Sequence, residues 1–94
     1  MATVKEIVDK MKDVEKVLSG YLSYDADVDG LVSSDIKDMS EARKLLEDPT
    51  KEKITQALKT IQSVKEDIDP YATYAMARPI TDQIKSVLEA LKTL

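Results

Sequence analysis

The 94 residues predict an all-α protein, an antiparallel up-down-up-down four-helix bundle, and three observations point that way. Apolar residues recur at alternating three- and four-residue steps, the period of one helix face. Two glycines and three prolines punctuate the chain, too few for the many turns of a β-sandwich or barrel. The core formers are Ile, Leu, Val, Met and Ala; Phe and Trp are absent and Tyr is the only aromatic. A chain of this length makes one domain, residues 1–94, with a modest core and little spare structure for a deep cleft.

The first helix is announced by Thr3 and Glu6, which have capping-box spacing. Val4, Ile7, Met11, Val14, Leu18 and Tyr21 then form one apolar face, with Val8 and Leu22 beside it. Gly20 weakens the last turns by about 1 kcal/mol relative to Ala, so the helix should end between Gly20 and Tyr24. Asp25 to Val32 reads as a loop, because Asp and Gly replace the periodic residues there. Ser33 or Ser34 would cap a second helix running to about Glu47, with Ile36, Met39 and Leu46 on one face. Leu45 points away from that face, as Val17 does on the first helix. Both ask for burial against a second partner.

Asp48-Pro49 has the form of an N-cap followed by proline at the first helical position. Ile54, Ala57, Leu58, Ile61, Val64 and Ile68 make the third apolar stripe, and Asp69-Pro70 repeats the punctuation. Ile80, Ile84, Val87, Leu88, Leu91 and Leu94 make the fourth. Pro79 lacks an amide donor and restricts Arg78, so the last helix is kinked there or restarts after a short helix over 70–77. The segments after the two Asp-Pro joints share nothing beyond helical periodicity. An up-down-up-down course would gather Tyr21, Tyr24, Tyr71 and Tyr74 at one end, near Asp25, Asp27 and Asp29. Tyrosine, with an apolar ring and a polar tip, suits the closing of a bundle end beside water.

Composition excludes several functions. The net charge of −4 opposes nucleic-acid binding, which needs a clustered basic surface. No apolar run approaches the ~20 residues of a membrane span, and the charged start lacks a signal core, so the expected location is cytoplasmic. Without His or Cys there is no zinc site, no cysteine nucleophile and no histidine-based triad, and no glycine-rich phosphate loop is present. The expectation is therefore not an enzyme.

One segment carries chemistry. Asp25, Asp27 and Asp29 alternate and are followed by Gly30, Leu31 and Val32. This run resembles the opening of an EF-hand calcium loop, and the related dockerin loop. Calcium takes six to eight oxygens, which alternating acids supply as the chain wraps the ion. The resemblance implies that Gly30 makes the sharp turn, Leu31 offers its carbonyl and Val32 packs on the core. The family closes its shell with an acid at the twelfth place, where this chain has Ile36; Asp35 stands one place early. The resemblance thus implies either a shortened loop with Asp25, Asp27, Asp29, Leu31 and Asp35 as ligands, or an open shell. A plainer reading has the same acids forming Asx turns and capping the second helix.

The leading expectation from the sequence is a small non-enzymatic bundle acting as a protein-interaction or self-associating module, its partner another protein or itself. The alternative is a calcium-binding helical module, with Ca2+ its only candidate cofactor.

Overall fold

Thr3 closes the start of the first helix as its spacing predicts: its Oγ1 accepts a hydrogen bond from the Glu6 amide at 3.2 Å. The structure, a computed structural model, describes residues 3–20, 26–71 and 78–94, with only the backbone described for 26–29 and 71. Within those bounds helix α1 spans Val4–Ser19, α2 Ala26–Leu45, α3 Lys51–Ile68 and α4 Arg78–Lys92, and a 3-10 turn covers Asp69–Tyr71. Gly20 ends α1 in right-handed geometry, its amide donating to the carbonyls of Lys16 and Val17.

The four helices close a ring in which α1 touches α2 and α4, and α3 touches α2 and α4. Its core follows one rule of spacing. Ile7, Met11, Val14 and Leu18 line α1, and Ala57, Ile61, Val64 and Ile68 line α3. Ile80, Ile84, Val87 and Leu91 line α4 with the same steps of four, three and four. On α2 and the residue just past its end the same steps fall on Asp35, Met39, Ala42 and Leu46, with Val32 one step earlier. Such positions lie on one side of a helix and interdigitate with their counterparts across a bundle. Asp35 is the only polar or charged residue buried among the described residues.

Several local expectations are corrected. The segment expected to be a loop from Asp25 to Val32 is helical from Ala26 onward, so neither Ser33 nor Ser34 is a cap; both lie exposed within α2. The physical reason is twofold. Acids in a first turn are favoured by the helix dipole, so Asp27 and Asp29 support a helix start as readily as a turn. The stripe from Val32 to Leu46 also needs helical geometry to reach the core. At Gly30 an added Cβ would meet nothing within 4 Å, so no close approach calls for glycine there.

At the next joint the cap is Thr50, not Asp48. Thr50 is extended and its Oγ1 accepts from the Lys53 amide at 3.2 Å, which leaves Pro49 just outside the helix. Asp69 caps the end of α3, takes a 2.8 Å hydrogen bond from Lys65 and is the first residue of the 3-10 turn. Helix α4 is described from Arg78, with Pro79 second in its described span; residues 72–77, over which a short preceding helix is expected, lie outside the described residues. Leu45 and Val17 are partly buried against the bundle's own core and need no second partner. Of the four tyrosines, Tyr21, Tyr24 and Tyr74 and the Tyr71 side chain fall outside the described residues, so the expected cluster does too.

Candidate functional site

Asp35 occupies a position that the spacing of α2 reserves for an apolar side chain. It is fully buried, and neither carboxylate oxygen finds a hydrogen-bond donor. Its pKa is pushed up from the usual 3.8 to about 8. Burial is the largest cause, because an ionised carboxylate loses its hydration and gains nothing in return. Asp67 on α3 comes next, close enough to bond the protonated form and to repel the ionised one; the charge of Asp38 adds to the repulsion. At pH 7 Asp35 is therefore predominantly a neutral acid. Its proton can then be donated toward the carboxyl group of Asp67.

A second polar contact joins α2 to α1. Arg43 grips Glu15 with two nitrogens: Nε donates to Oε2, and Nη2 donates to Oε1 at 3.0 Å. Both side chains are mostly shielded, at 26% and 13% exposure, which sets this pair apart from the exposed Lys53–Asp48 contact. The planar fork of arginine matches a carboxylate in this way and lysine does not.

Two hollows lie at the surface among the described residues. One lies between α2 and α3, lined by Glu41, Leu45, Gln56, Lys59 and Thr60. The other lies between α1 and α4, where Lys10 Nζ donates to Ser86 Oγ at 3.1 Å beside Asp13 and Gln83.

Of the residues singled out as calcium ligands, only Leu31 and Asp35 have described side chains. Asp25 lies outside the described residues, and Asp27 and Asp29 contribute only helical backbone. Leu31 lies inside the same helix, and Asp35 faces Asp67 across the α2–α3 interface. Among the described residues no group of three or more His, Cys, Asp or Glu is placed to hold a metal ion.

Sequence reasoning singled out Asp35 as a metal ligand and not as a core residue, and paired neither Asp35 with Asp67 nor Glu15 with Arg43. The signal for Asp35 was present: counting back from Leu46 through Ala42 and Met39 lands on it. No local pattern marks Asp67 as its neighbour, because the contact joins two helices. Compared with protein-family models, with curated proteins and with solved structures, the chain matches none.

Proposed function

We propose that the protein is a non-enzymatic helical bundle that works by binding another protein or a second copy of itself. The observation that carries this reading is the buried Asp35. Among the described residues Asp35 is the one buried polar or charged residue at a core position, so it is where function is to be sought. In helical assemblies a polar group at a core position selects register and partner number at a cost in stability, a recurrent use of such residues.

The surface supports the same reading. The described hollows are shallow and lined mainly by polar and charged side chains, a poor setting for sequestering a substrate but a usable one for a polar-rimmed contact. The up-down-up-down course belongs to this proposal and is supported by the five residues, 46–50, that join α2 to α3. Cytoplasmic location belongs to it as well. No helix among the described residues is long and apolar enough to cross a membrane.

The test is a dilution series of the full chain followed by sedimentation velocity and by amide NMR spectra. Self-association is expected to give a rising weight-average mass and shifts confined to one face. A monomer with unchanged spectra up to millimolar concentration would remove the homodimer. Cross-linking in cells would then have to yield a defined heterologous partner, and its absence would end the interaction reading altogether.

A further inference from the structure

We propose that Asp35 and Asp67 form a proton-held clasp between α2 and α3, closed while Asp35 keeps its proton and loosened when that proton leaves for solvent. The inference is independent of any partner. It stands first on placement: Asp35 is fully buried at a core position, with no donor for either oxygen. It stands second on what faces it. From α3 comes the carboxyl of Asp67, and from α2 itself the charge of Asp38.

No cation offsets them among the described residues. On α1, Glu15 is committed to Arg43. On α3, Lys65 is committed to Asp69. At the start of α4, Arg78 and Asp82 stand exposed. A proton is the smallest counter-charge that lets two carboxyl groups meet in a dry setting, and here it turns one of them into a donor for the other. Loss of that proton leaves a buried anion beside a second acid, which only separation of the helices or entry of water can relieve.

The sign follows from the raised pKa. Below the unfolded value of 3.8 the acid is protonated in both states, and the clasp contributes fully. Between there and about 8 the unfolded chain gives up the proton while the folded chain keeps it, so stability drains away as pH rises. The folding equilibrium constant falls by up to roughly tenfold per pH unit across that window, and levels off above it.

The experiment is chemical denaturation of the full chain from pH 4.5 to 9, compared with Asp35→Asn and Asp67→Asn, together with a 13C NMR titration of the Asp35 carboxyl. The wild type is expected to lose stability with pH relative to Asp35→Asn, and the Asp35 carbon to titrate near 8. Asp67→Asn removes the facing charge and should bring that midpoint down. Parallel pH profiles for the wild type and Asp35→Asn would overturn the clasp, as would an Asp35 titration near 4. Should Asp35→Asn fail to fold, the wild-type titration and its shift in Asp67→Asn still decide. A gain in stability from millimolar calcium at pH 8, lost in Asp67→Asn, would place a metal rather than a proton between the carboxyls and would overturn it too.

Discussion

Helix α2 carries one polar contact on each flank, and the two neutralise an acid in opposite ways. Toward α1, the Glu15 carboxylate is met by the guanidinium of Arg43, with two hydrogen bonds. Toward α3, Asp35 meets the carboxyl of Asp67 and no donor at all. The first contact sits at the shielded margin of the bundle, where a long side chain can reach its partner and still keep some hydration. The second sits in the core, where no cation arrives and only a proton can do that work. An acid on this helix is therefore tolerated wherever its charge can be cancelled, and the depth of the position decides whether an arginine or a proton cancels it.

The contrast can be broken most forcefully by Asp35→Leu. Replacing a buried, uncompensated acid by an aliphatic side chain should stabilise the bundle by about 1–4 kcal/mol in urea unfolding at pH 8. The gain should shrink as pH falls toward 5, because the folded wild-type acid then holds its proton while the unfolded chain is still ionised. A destabilised Asp35→Leu protein at pH 8 would mean that the site is wetter or more crowded than its burial implies.

The arginine flank calls for a smaller effect. A double-mutant cycle with Glu15→Gln and Arg43→Met should return a coupling of about 1 kcal/mol, since the pair is bidentate but not fully desolvated. A coupling indistinguishable from zero would reduce the contact to surface decoration. Smallest of all is the Lys65–Asp69 pair, 2.8 Å apart and four residues apart on the outer side of α3. Lys65→Ala should cost a few tenths of a kcal/mol at low salt and nothing measurable at 1 M salt.

The parts of this fold that were legible in the sequence share a physical character. Helix α1 could be read from end to end because its cap, its stripe and its terminal Gly20 are all encoded locally. The stripes of α3 and α4 were nearly as plain: most of their periodic residues are buried, while Ile54 and Leu58 are partly buried and Leu94, past the end of α4, is exposed. The start of α2 was not legible. Asp27, Asp29 and Gly30 carry the marks of a turn, yet burial of Val32, Met39, Ala42 and Leu46 draws the segment into a helix from Ala26. Tertiary burial outweighed local preference there. The same error hid the site: with the helix assumed to begin at Ser33 or Ser34, Asp35 looked like the end of a loop, and its core position went unseen. Thr50 displaced Asp48 as a cap for a milder reason. Both residue types cap well, and only the backbone decides between neighbours.

The ring of helices has a consequence for how the chain reaches its native state. Three of its four interfaces join elements adjacent along the chain, and one joins α1 to α4. Adjacent pairs close short loops and can form early, in the manner of chains with low contact order. The α1–α4 seam must wait for the two ends of the protein to meet, and the entropy of that closure falls on the last step. Folding speed should accordingly be governed by the seam, which makes Lys10 and Ser86 a place to watch in time rather than in space.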